Sequence, residues 1–116
     1  MTITRLQPGK RMSQAVKHGN TVYLAGQVAS DYNGTIEKQT GEVLAAIDKL
    51  LAEAGTSKSK VLSCQVILNN IGDFAAMNSV YDAWIDPANP PARACIETRL
   101  AHPSLKVEII AIAALD

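Results

Sequence analysis

The segment Lys106-Val107-Glu108-Ile109-Ile110-Ala111-Ile112-Ala113-Ala114 has apolar residues on both sides of any strand it forms. Successive side chains of a strand point to opposite faces, so Val107, Ile109, Ala111 and Ala113 share one face. Ile110, Ile112 and Ala114 share the other, interrupted only by Glu108. A strand of this kind needs cover on both sides.

Immediately upstream, Ala92 to Thr98 follows Asn89-Pro90-Pro91 and reads as a strand. It is joined to Lys106 to Ala114 by a loop containing His102 and Pro103, and the two are expected to pair antiparallel. Before them, a helix opens at Asp73 and carries Phe74, Met77, Tyr81 and Trp84 along one stripe until Pro87 stops it. Val61 to Leu68 alternates as a strand, with Leu62, Cys64, Val66 and Leu68 on one face and Ser63 and Gln65 on the other.

From Ile36 to Ala54, Val43, Ile47, Leu50, Leu51 and Ala54 recur at helical spacing, and Gly55 offers a left-handed cap. The N-terminal third reads as three strands, Thr2 to Leu6, Ser13 to His18 and Thr21 to Ala25, with Gly19-Asn20 as a two-residue hairpin turn. The order βββαβαββ predicts an α+β fold with right-handed crossovers between parallel strands. A six-stranded mixed sheet with both helices on one face results. Two helices on one face leave the other bare, so the two-sided final strand predicts a homo-oligomer with sites between subunits.

At 116 residues the chain suits one domain, 1–116, burying about two-thirds of its extended surface. Eleven basic residues balance eleven acidic ones, which argues against nucleic acid as the main partner. The longest apolar run, Ile109 to Leu115, is far shorter than the roughly 20 residues of a membrane span. Met1 to Leu6 lacks the pattern of a secretory signal, so a cytoplasmic location is expected, with Cys64 and Cys95 as thiols. His18 and His102 stand far in sequence from either cysteine, so no metal site is expected.

Three residues stand out chemically. Glu108 on an apolar face is either an edge or ion-paired residue, or a carboxylate in a cleft that orients and deprotonates a water molecule. Arg93 is either an ordinary surface cation or a fork matched to the two oxygens of a small acid. Cys95 shares its strand face and reads as structural, because no histidine pattern makes it a nucleophile. Glu108 joins that face only if its antiparallel register sets it opposite a residue such as Cys95.

Asn89-Pro90-Pro91-Ala92-Arg93-Ala94-Cys95-Ile96-Glu97, followed by Lys106-Val107-Glu108-Ile109, resembles the C-terminal signature of the RidA/YjgF family. Gly19-Asn20 with Val22-Tyr23-Leu24-Ala25-Gly26-Gln27, and Met77-Asn78 with Tyr81, resemble earlier parts of that family. The resemblance implies a chorismate-mutase-like fold, a homotrimer with intersubunit clefts, and hydrolysis of enamines and 2-imino acids to 2-keto acids and ammonia without a cofactor.

It further implies that Arg93 binds the substrate carboxylate and Glu108 positions water. Cys95, Ala25, Gly26 and Met12 line the pocket by the same resemblance. Met12 and Ala25 stand where the best-known deaminases of the family have Tyr and Ser. Losing those polar contacts shifts the expected substrate toward a bulkier or more apolar imino acid. Two alternatives stay open: a non-catalytic trimer that binds small carboxylates or a protein, and a mutase-type enzyme acting on a dicarboxylate.

Overall fold

Residues 2–116 are described by a computed structural model in which one mixed sheet carries two helices. Its strands are β1 (Ile3–Leu6), β2 (Ala15–His18), β3 (Thr21–Leu24), β4 (Gln27–Val28), β5 (Val61–Leu68), β6 (Ala92–Glu97) and β7 (Val107–Ala114). The helices are α1 (Ile36–Ala54) and α2 (Phe74–Trp84). The β2–β3 hairpin turns at Gly19-Asn20, where Gly19 takes the positive φ of 61° that its turn position favours.

The sheet has seven strands, where the sequence pattern predicts six. The added strand, β4, follows a break at Ala25-Gly26 and pairs with β7 beside β3. A second correction concerns the C-terminal strands. β6 and β7 do not pair: the order is β1-β2-β3-β7-β5-β6, with β7 antiparallel to both β3 and β5, and β6 parallel to β5 at an edge. The physical reason lies in composition. A strand apolar on both faces is best placed in the sheet interior, while one carrying Arg93 and Glu97 tolerates an edge.

Val107, Ile109, Ala111 and Ala113 are buried under the helices with Val22, Cys64, Val66 and Leu68. Ile47, Leu51 and Val43 of α1 and Met77 of α2 complete that layer. No described residue covers the opposite face. It shows Ile110 and Ile112 half-buried, with Tyr23 and Ile96 exposed. Two residues assigned to the core stripe leave it. Leu62 lies at a bulge between Val61 and Ser63 and is exposed, and Phe74 sits at the solvent edge of α2.

α1 begins at Thr35, whose Oγ1 accepts from the Lys38 N–H at 3.1 Å, and ends at Gly55 with φ 91°. Removing that cap by Thr35→Ala is expected to lower unfolding free energy by about 1 kcal/mol, measurable by urea denaturation. Gln39, fully buried, links the segments flanking the sheet. It donates to the carbonyls of Gly34 and Ser104 and accepts from the Lys106 N–H at 2.8 Å.

Candidate active site

Arg93 sits on β6 in register with Cys64, which in turn faces Ala111 of β7, so its side chain leaves the sheet on the helix-covered side. There Nη1 donates to Asn78 Oδ1 at 2.7 Å. The guanidinium carbon lies 4.7 Å from the Tyr81 ring centroid and 5.8 Å from that of Phe74. The aromatic faces attract the cation, and the amide fixes one arm of its fork. No carboxylate neutralises it: among the described residues the one ion pair is Lys38 with Asp31. Asn78 and Tyr81 were legible as one helix face by their spacing of three, but nothing in the sequence tied them to Arg93.

Cys95 lies two residues along β6 on the same side, half-buried opposite Val66. Burial raises its thiol pKa, opposed by the nearby Arg93 charge. Cys64, fully buried, is pushed up to about 11 by burial, and Tyr81 to about 12, chiefly for the same reason. Neither thiol is poised as a thiolate nucleophile at neutral pH.

For stability the sign follows from proton binding. With the Cys64 pKa raised above the ordinary 9.0, the folded state holds the proton more tightly than the unfolded one. Its contribution is intact below pH 9.0 and is lost as pH rises toward about 11. Urea midpoints are therefore expected to fall across that interval, and by less in Cys64→Ala relative to its own neutral value.

Glu108 occupies β7 on the open face, between Val28 of β4 and Ile67 of β5 in the pairing register. The sequence allowed it an edge position or an ion pair. It has neither, because β7 is interior and no cation lies within ion-pair distance among the described residues. Its carboxylate rests over Gly26, where an added Cβ would come within 2.1 Å of Oε2. Ala25 adjoins Gly26 in the break between β3 and β4, and its N–H donates to the Gln14 carbonyl at 2.9 Å. Met12, two residues before Gln14, is exposed and lines an open hollow of about 500 Å³ with Gln7, Gly9, Lys10, Arg11 and Gln14.

The structure thus brings Ala25, Gly26 and Glu108 together, with Met12 in the adjoining loop. It does not bring Arg93 and Cys95 to them. The condition for a shared face, Glu108 opposite a residue such as Cys95, is not met: Cys95 lies opposite Val66 and Glu108 opposite Ile67, which puts Arg93 and Glu108 on opposite faces of the sheet. They are also two strands apart, roughly 10 Å at ordinary strand spacing. One chain cannot close both groups on one small acid.

The mixed sheet with two helices on one face is an α+β architecture, and its likeness to solved YjgF-fold structures makes it chorismate-mutase-like. Comparison narrows the class. The family model described as Endoribonuclease L-PSP matches residues 2–115. A RutC family protein of Haemophilus influenzae is 46% identical, covering 97% of this chain and 98% of its own. RutC family protein YoaB of Escherichia coli is 38% identical over 99% of this chain and all of its own. A crystal structure of a YjgF family member from Neisseria meningitidis superposes with a TM-score of 0.97 at 41% identity, covering 100% of this chain and 97% of that one. The chain belongs to the RidA/YjgF family.

Proposed function

We propose that the protein hydrolyses 2-imino acids and their enamine tautomers to 2-keto acids and ammonia in clefts between copies of the chain, three to an assembly. The observation that carries this reading is the Arg93 fork. It is held by a neutral amide and an aromatic face, with no carboxylate partner among the described residues. Such a cation suits the carboxylate of a small acid.

Because Arg93 and Glu108 leave opposite faces of one sheet, the proposed cleft takes Arg93 from one copy and Glu108 from its neighbour. The bare face of Ile110, Ile112 and Tyr23 supports the assembly, since an apolar face of this kind is stabilised by burial. In the proposed reaction, Arg93 fixes the substrate carboxylate and Glu108 holds a water about 3 Å from the imine carbon. Protonation of the nitrogen makes that carbon electrophilic. With the imine nitrogen protonated from solvent, Glu108 takes a proton from the water as it adds, forming a carbinolamine, and returns it to the nitrogen. Ammonia then leaves as the C–N bond breaks and the hydroxyl releases its proton to solvent, forming the carbonyl. One imine and one water become one ketone and one ammonia. Met12, Ala25, Gly26 and Cys95 line the cleft in this reading, and no cofactor takes part.

A test generates imino acids from several amino acids with an amino-acid oxidase and follows their decay with wild type, Arg93→Ala and Glu108→Gln. Faster decay with wild type alone supports the proposal; identical decay with all three overturns the catalytic role. Light scattering checks the assembly, with a mass three times that of the chain expected.

A second reading, binding of small carboxylates without catalysis, draws on Met12 and Ala25 in place of polar groups. Calorimetry showing Arg93-dependent 2-keto acid binding, with no accelerated imine loss, would favour it. The mutase alternative needs further cations around one dicarboxylate. Arg11 lines the loop hollow, whereas Arg99 lines a separate one with Asn69, Leu100 and Pro103, so a chorismate turnover assay decides that case.

A further inference from the structure

Gly26 has no conformational need to be glycine. Among the described glycines, positive φ occurs at Gly19 and Gly55, so at Gly26 the backbone is one that any residue adopts. Space is the reason instead. A Cβ built there meets Oε2 of Glu108 at 2.1 Å, Cδ at 2.9 Å and Cγ at 3.2 Å, so it overlaps the carboxylate as a whole rather than grazing one atom. No backbone atom is among those three neighbours. The end of a flexible side chain can yield, so a methyl group here moves the carboxylate and leaves the sheet as it was.

The local topology explains how the two residues meet. β3 pairs with β7 through Tyr23 opposite Ile112, and β4 through Gln27 opposite Ile109, so the register steps by one residue at the break. That step brings Gly26 beside the Glu108 side chain, on a face whose other nearby groups, Val28, Ile67 and Ile110, offer the carboxylate no hydrogen bond. With no hydrogen-bonding partner among the described residues to aim it, the carboxylate is aimed by shape. We infer that Gly26 is a positioning residue, its missing side chain being the seat that sets where the Glu108 carboxylate lies. Its kinetic consequence rests on the imine-hydrolase reading above; the seat itself does not.

The experiment is Gly26→Ala, examined first by crystallography. The expected result is an unchanged sheet with the carboxylate displaced by more than about 1 Å, the shift needed to restore van der Waals separation. A carboxylate left in place, or a β3–β4 segment that rearranges, overturns the seat whether or not the protein is an enzyme. In imine hydrolysis, kcat for Gly26→Ala is expected to fall on the order of 10²-fold with KM changed less than about twofold, as for a misplaced reacting group.

Combining Gly26→Ala with Glu108→Gln is expected to be no slower than Glu108→Gln alone, because both changes disable one group. Multiplying losses in the double variant would mean that Gly26 acts independently of Glu108 and would overturn the positioning role. If wild type and Glu108→Gln hydrolyse imines equally, the proposed function fails instead, and the crystal structure still decides the seat.

Discussion

Glu108→Gln is expected to lower kcat for imine hydrolysis by about 10²- to 10⁴-fold, the range typical of a lost general base. The substitution keeps the size and shape of the side chain, so it keeps the contact with Gly26 while removing the proton acceptor. Stability should change little, because the carboxylate makes no ion pair among the described residues whose loss would cost folding energy. KM should also hold, since Arg93 and not Glu108 is assigned to the ground-state carboxylate. The combination separates a catalytic carboxylate from a structural one. A variant with normal turnover, or one whose loss of turnover follows a loss of fold, would contradict the assignment.

Arg93→Ala is expected to act on binding. Arg93 is exposed in the single chain; in the proposed cleft a neighbouring copy covers it. Truncating one partner of a hydrogen-bonded charge pair so covered costs about 2–5 kcal/mol, so kcat/KM should fall by roughly 30- to several-thousand-fold, largely through KM. Arg93→Lys should recover only part of this, because an ammonium is a point charge without the paired donors of the fork. It would also lose the guanidinium's contact with the Tyr81 ring, 4.7 Å from its centroid. Asn78→Ala, which frees one arm of the guanidinium, is expected to give a smaller rise in KM than Arg93→Ala. Initial-rate kinetics on all three variants, with 2-keto acid binding by calorimetry, checks the order. An Arg93→Ala protein that binds 2-keto acids as wild type does would exclude the clamp.

The local elements were legible because each obeys a short-range rule. The α1 periodicity, its end at Gly55 and the alternation of β7 all hold as the sequence predicts, with the buried residues of β7 falling at every second position. The hairpin at Gly19-Asn20 holds for the same reason. Failures occurred where a partner had to be chosen. The pairing of β6 with β7 followed from their succession in the chain, but hydrogen bonding and burial together favour β7 inside the sheet and β6 outside it. That choice also decided which residues share a face, a question the register left open.

The candidate site was legible as residue types and illegible as geometry. Arg93 and Glu108 stand out in the linear chain as charges interrupting apolar strands, and their identities suit acid binding and water activation. Whether they meet depends on strand order, which the periodicity of a single strand does not encode. Likewise the resemblance names Gly26 only as pocket lining, and nothing in the sequence ties it to the Glu108 carboxylate. Its role emerges only when the register step between β3 and β4 sets it against the Glu108 carboxylate.

The linear order of residues by itself determined two helices, alternating strands, a balanced charge and an apolar face that two helices cannot cover. These follow from side-chain periodicity and composition, which are properties of neighbours along the chain. Tertiary structure alone decided that β7 lies between β3 and β5, that Arg93 rests on Asn78 and Tyr81, and that it stands across the sheet from Glu108. The reason is that backbone hydrogen bonds can join strands distant in sequence, and burial of both faces of β7 selects among those pairings.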